Sequence, residues 1–135
     1  MSDEFEMNPI NISKAMDIFD NDVELFLDLI NKFIRIYPRY LKKIIIALND
    51  TNLNELEAAS YRIRSLLVNL ACYNAEEYLY AIERFKDNYN LNDAVRNYNK
   101  LNVELKRLKD FVTNSGWDKL FENIKEMSVY ESIDS

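Results

Sequence analysis

Histidine is absent from this 135-residue chain, and cysteine occurs only once. Without imidazole the protein lacks the commonest general base, nucleophile and metal ligand that titrates near neutral pH. The single cysteine, Cys72, excludes an internal disulfide and favours a reducing compartment. A zinc site would have to be built from carboxylates, so we expect no metal and no cofactor.

Glycine and proline are also scarce, with one Gly and two Pro against 48% hydrophobic residues. So few turn residues argue against a β-sandwich, and so apolar a composition argues against a disordered chain. The length suits a single helical domain over residues 1–135, and we expect flexible tails at residues 1–9 and 128–135.

Net charge and hydropathy argue against some classes of binding partner. The formal net charge of -6 argues against nucleic acid and anionic membrane surfaces, because binding to either needs clustered Lys and Arg. No apolar run approaches the roughly 18 residues of a membrane span, and the N-terminus is acidic where a signal peptide is basic. We therefore expect a cytoplasmic protein.

The hydrophobic pattern predicts mostly helix. A short first helix is expected around Ile12 to Phe19. Apolar residues then repeat every 3.6 positions over residues 23–48, 56–70, 75–85 and 91–112, and a short last helix is expected at 117–127. The predicted fold class is all-α: an up-down-up-down four-helix bundle with short extra N- and C-terminal helices.

Local signals suggest where these helices begin, bend and end. An Asn followed three residues later by Glu, the capping-box spacing, occurs at Asn21, Asn52 and Asn74. Pro38 removes a backbone donor inside the long second pattern, which predicts a kink or a short break near Ile36. Gly116 suits a left-handed C-cap.

The stretch from Ser60 to Ala71, SYRIRSLLVNLA, resembles the central helix of the histidine-phosphotransfer (HPt) domain. That family is a helical bundle that passes phosphoryl groups between receiver aspartates, and its central helix reads approximately A-H-x-L-K-G-x-x-x-N-L-G. Residues at matching positions include Ile63, Arg64, the pair Asn69-Leu70 and, near the end of the next helix, Ile82-Glu83. The order of the predicted helices follows the family over most of the chain.

The phosphorylated histidine of the family is replaced here by Tyr61, and two family glycines are replaced by Ser65 and Ala71. A phenol with a pKa near ~10 is mostly protonated at neutral pH, and no base is adjacent to it in the sequence. A phosphotyrosine ester would not readily return its phosphoryl group to an aspartate. We therefore predict no catalytic residue and no enzymatic activity.

The helix face centred on Tyr61 is the predicted partner-binding surface. The resemblance implies a receiver domain or a histidine kinase as the partner. Tyr61 would then act as an aromatic anchor, and Arg64 would supply positive charge for a phosphate or carboxylate. At 100° per residue the face comprises Glu57, Ala58, Tyr61, Arg64, Ser65, Val68 and Cys72.

Blander interpretations stay open. Tyr61 could be a tolerated surface residue, and Arg64 could simply pair with Glu57 or with a carboxylate near Asp50. The chain would then be a structural or interaction bundle outside phosphorelay signalling. Such a bundle could form a homodimer through the tyrosine-rich surface near Tyr73, Tyr80 and Tyr89.

Overall fold

The computed structural model describes residues 8–114. Within this range the chain forms helices and no strand. The helices are α1 (Ile12–Ile18), α2 (Val23–Asn49), α3 (Leu53–Leu70), α4 (Tyr73–Glu83), the four-residue α5 (Phe85–Asn88) and α6 (Leu91–Thr113). The helical class is thus confirmed for these residues. The predicted helix at 117–127, the Gly116 cap and the tail at 128–135 lie outside them.

The long helix α2 follows from its apolar repeat, which places one side of the helix in the core. Phe26, Ile30 and Phe33 on this side are fully buried. Pro38 lies inside the helix, and α2 continues across it, so the break predicted near Ile36 is absent. Pro38 is exposed, so the proline lies on the solvent side of the helix and not in the core.

One of the three predicted N-caps is correct. The backbone N–H of Glu55 donates to the Asn52 side-chain oxygen at 3.2 Å, and α3 begins directly after Asn52. The same arrangement starts α6, where the N–H of Asp93 donates to Asn90 at 3.0 Å. These side chains satisfy donors that have no partner within the helix.

The other two predicted caps are wrong. Asp22, not Asn21, caps α2, because Asn21 has φ 62° and belongs to the turn before the helix. α4 starts at Tyr73, before Asn74, and its N-cap residue Cys72 makes no side-chain cap hydrogen bond. In both places the backbone of the preceding turn decides where the helix begins.

The four long helices share one core. α2 packs against α3, α3 against α4, α4 against α6 and α6 against α2, which closes a ring of neighbours in chain order. α1 contacts both α2 and α3. Pro9 is buried at the border of the predicted tail, and the nearby N–H of Asn11 donates to the Ala71 carbonyl at 3.0 Å. The described residues therefore form a helical bundle with its N-terminal segment tied to the turn between α3 and α4.

The Asn52 cap gives a first prediction. Asn52→Ala removes the acceptor for the Glu55 N–H and should lower the free energy of unfolding by about 1 kcal/mol. Asn54→Ala is the matched control, because Asn54 is exposed two residues later, in the first turn of α3, and is not the N-cap residue. Urea denaturation measures both variants, and equal losses would show that the cap contributes nothing specific.

Candidate functional site

Tyr61 lies on the solvent side of α3. Its side chain is 60% exposed, whereas its neighbour Ser60 and the core residue Ile63 are fully buried. Tyr61 faces solvent because Leu56, Ile63 and the later leucines form the apolar stripe that the helix buries. Tyr61 therefore points to solvent.

Arg64 lies between two tyrosine rings and one carboxylate. Its guanidinium carbon is 5.7 Å from the centre of the Tyr61 ring and 5.8 Å from that of Tyr80 on α4. Its Nη1 also donates to Oε1 of Glu83 at the end of α4. Both rings are within cation–π range, and the ion pair neutralises the guanidinium. Arg64 thus joins α3 to α4, and pairs with neither Glu57 nor Asp50.

Four other predicted residues are exposed on the same helix: Glu57, Ala58, Ser65 and Val68. Val68 is 44% exposed. Ser65 is held by its own helix, because its hydroxyl donates to the Arg62 carbonyl at 3.1 Å. Together with Tyr61 they give a mixed surface of apolar, hydroxyl and carboxylate groups, which we call the Tyr61 face.

Cys72 is not part of that surface, and its predicted role as a partner contact is wrong. Ala71 turns into the left-handed region (φ 57°, ψ 43°), which ends α3 and carries Cys72 into the core with 1% of its area exposed. Burial raises the pKa of the Cys72 thiol far above its usual range, and Glu104 and Glu76 raise it further. The thiol is therefore a core group without nucleophilic character.

A concave surface lies between α4 and α6. It is an open groove of about 920 Å³ whose lining includes Tyr73, Tyr78, Lys100 and Val103. At its wall Glu104 is only 4% exposed and pairs with Arg107 at 2.6 Å. The pair compensates the buried charge, so we read this wall as structural. None of the residues predicted for the Tyr61 face lines the groove.

Comparisons with family models, with curated proteins and with solved structures find no match to this chain. In the described range no three Cys, Asp or Glu side chains are grouped in a way that could hold a metal ion. No helix within residues 8–114 has both the length and the apolar character to cross a membrane.

Sequence reasoning missed Tyr80 as a member of the site. The sequence groups Tyr80 with a separate tyrosine-rich surface, whereas the structure places its ring against Arg64. The HPt resemblance gives Glu83 no role, and the structure makes it the partner of Arg64. Both contacts join two helices, so they depend on how α4 is rotated against α3.

The ion pair predicts a measurable coupling. Arg64 and Glu83 keep only 27% and 14% of their side chains exposed, so Arg64→Gln and Glu83→Gln should each lower the free energy of unfolding by about 1–2 kcal/mol. The double variant should lose about 1 kcal/mol less than the sum. The control pair is Arg96 with Asp93, which is more exposed and 3.5 Å apart, and should couple by under about 0.5 kcal/mol. Equal coupling in both cycles would contradict a special role for Arg64.

The burial of Cys72 predicts an unreactive thiol. In the native protein a thiol reagent should react at least about a hundredfold more slowly than in urea, because the side chain must first be exposed by opening of the core. The control is a Cys72→Ala, Ser65→Cys chain, whose thiol stands at an exposed position and should react at once. Rapid labelling of native Cys72 at neutral pH would place it at the surface.

Proposed function

We propose that this protein is a noncatalytic HPt-like, or pseudo-phosphotransfer, protein of a two-component phosphorelay. It binds a receiver domain or a histidine kinase and carries no phosphate. The observation that supports this most directly is Tyr61, which stands at the family's histidine position and is exposed at the surface of a bundle helix. Its place of action would be the cytoplasm, where receivers and kinase domains operate.

Chain connectivity supports an HPt-like arrangement. Three residues, 50–52, join α2 to α3, and two residues, 71–72, join α3 to α4. Helices that pack side by side across such short turns run in opposite directions. The ring of contacts among the four long helices fits the up-down-up-down order that the resemblance implies.

The surroundings of Tyr61 favour docking over chemistry. The charged group beside its ring is Arg64, a cation that cannot accept the phenolic proton. A tyrosine nucleophile needs a base within hydrogen-bond reach, and none of the described side chains hydrogen-bonds to the Tyr61 hydroxyl. An exposed aromatic ring held by a neighbouring guanidinium is, by contrast, a typical interface anchor.

A second candidate function is a self-associating interaction bundle outside phosphorelay signalling. It is favoured by the exposed rings of Tyr73 (41%) and Tyr80 (49%) on α4, which would extend an interface beyond the Tyr61 face. The ion pair of Arg64 with Glu83 also leaves less positive charge on this side of the bundle for an acidic receiver pocket.

The proposal predicts binding that depends on Tyr61. In an NMR titration of labelled protein with receiver domains of the source organism, amide shifts should cluster on residues 57–68 and around Tyr80. Tyr61→Ala should weaken binding about tenfold or more, as for a hot-spot aromatic. Val103→Ala is the control, because Val103 is equally exposed at 60% on a different helix, α6.

Two outcomes would count against this function. If no receiver and no kinase segment shifts the Tyr61 face, the phosphorelay proposal fails. If sedimentation shows a tight dimer that Tyr73→Ala and Tyr80→Ala disrupt, the second candidate takes its place.

A further inference from the structure

The solvent side of α2 carries a concentration of positive charge. Between residues 29 and 49 the sequence has five basic residues and no Asp or Glu, in a chain with 17 basic and 23 acidic residues. All five are exposed. We call them the basic band: Lys32, Arg35, Arg39, Lys42 and Lys43.

Helix geometry gathers these charges on one side. Their spacings of three and four residues confine them to an arc of about 100° around the helix axis, opposite the buried stripe. From Lys32 to Lys43 the band is about 16 Å long at 1.5 Å per residue. The same arc includes Ile46, whose side chain is 48% exposed, and half-buried Ile36 lies at its edge.

The charges of the band are not used inside the bundle. None of its five residues forms an ion pair with a carboxylate of residues 8–114, where the pairs present involve Arg64, Arg96 and Arg107. Lys43 lies 5.4 Å from the centre of the Tyr40 ring, a contact that leaves its charge intact. Exposed cations that are not neutralised are available to an external anion.

We propose that the basic band docks an acidic helical segment of a partner protein. A helix of about eleven residues matches the length of the band, and Asp or Glu at three- and four-residue spacing would face its cations. Ile36 and Ile46 would contact apolar residues between the carboxylates of that segment. This surface lies on α2 and is separate from the Tyr61 face of α3.

The ends of the band favour a short acidic segment over a nucleic acid or a membrane. Asp28 and Asp50 are exposed at the two ends of the same arc, within about one Debye length of the terminal cations. A longer polyanion would extend over both carboxylates and be repelled by them. The net charge of -6 opposes an extended anionic surface in the same way.

The test uses the full chain and a synthetic helical peptide of fourteen residues with Glu at three- and four-residue spacing. In an NMR titration the peptide should shift amide signals of the protein at residues 32–46. The affinity of the protein for the peptide should fall as the salt concentration is raised. The counterpart peptide with Gln at every Glu position should bind at least about tenfold more weakly. Shifts outside α2, or equal binding of the Gln peptide, would overturn the proposal.

Matched variants separate the band from overall charge. Arg35→Gln, Arg39→Gln and Lys42→Gln together should weaken peptide binding about tenfold or more. The control triple Lys14→Gln, Lys86→Gln and Lys100→Gln removes the same charge from exposed positions on α1, α5 and α6, and should change affinity by less than about twofold. Equal losses of affinity in the two triple variants would show that only net charge matters, and would contradict a specific role for the basic band.

Three other ligands test the choice of occupant. Duplex DNA or vesicles of anionic lipid that bind the band more tightly than the peptide would overturn the proposal in favour of a general polyanion. Shifts of residues 32–46 on simple dilution of the chain would instead assign the band to a second copy. The expected result is that the peptide binds the band, whereas neither DNA nor vesicles bind it.

Discussion

The relation between α3 and α4 depends on the backbone of one buried residue, Ala71. Its left-handed conformation stops α3, and the next residue already caps α4. Its carbonyl also accepts the N–H of Asn11, so the N-terminal segment is fixed at the same point. A residue with a Cβ bears a cost of about 1 kcal/mol in this region, which the surrounding core must offset. The meeting of Arg64 with Tyr80 and Glu83 follows from the rotation of α4 that this turn sets.

The cations of the bundle have two kinds of surroundings. Arg64 is enclosed by two rings and a carboxylate, so its charge is compensated within the bundle. The cations of α2 have no such partners within residues 8–114 and face solvent. The protein is acidic as a whole, yet its longest helix presents a basic surface.

Sequence periodicity was enough to locate the four long helices, because each one buries an apolar stripe that repeats every 3.6 residues. It does not predict the four-residue α5, which is too short to show a repeat. α1 and α6 begin at the predicted positions, Ile12 and Leu91. Caps were harder to predict, because the Asn-x-x-Glu spacing says nothing about the backbone before it. Asn21 fits the spacing but adopts a left-handed turn conformation.

The candidate site was predictable only within α3. A single helical wheel correctly exposes Tyr61 and Val68, but it continues past the end of the helix and so misplaces Cys72. Contacts between helices, such as Arg64 with Glu83, require the rotation of one helix about another, which a single sequence does not encode locally. The net charge of the whole chain does not indicate the basic band, because a total averages over all segments. Counting the charged residues within residues 29–49 does reveal it.

The arrangement of two rings around the Arg64 guanidinium makes the surroundings of position 61 depend on two helices. Any side chain placed at position 61 would stand beside a guanidinium that Glu83 already binds. A substitution at position 61 would thus act on α4 as well as on α3, because Arg64 contacts side chains of both helices. Substitutions at Tyr61, Tyr80 and Glu83 are therefore expected to be coupled rather than independent, since all three side chains contact Arg64.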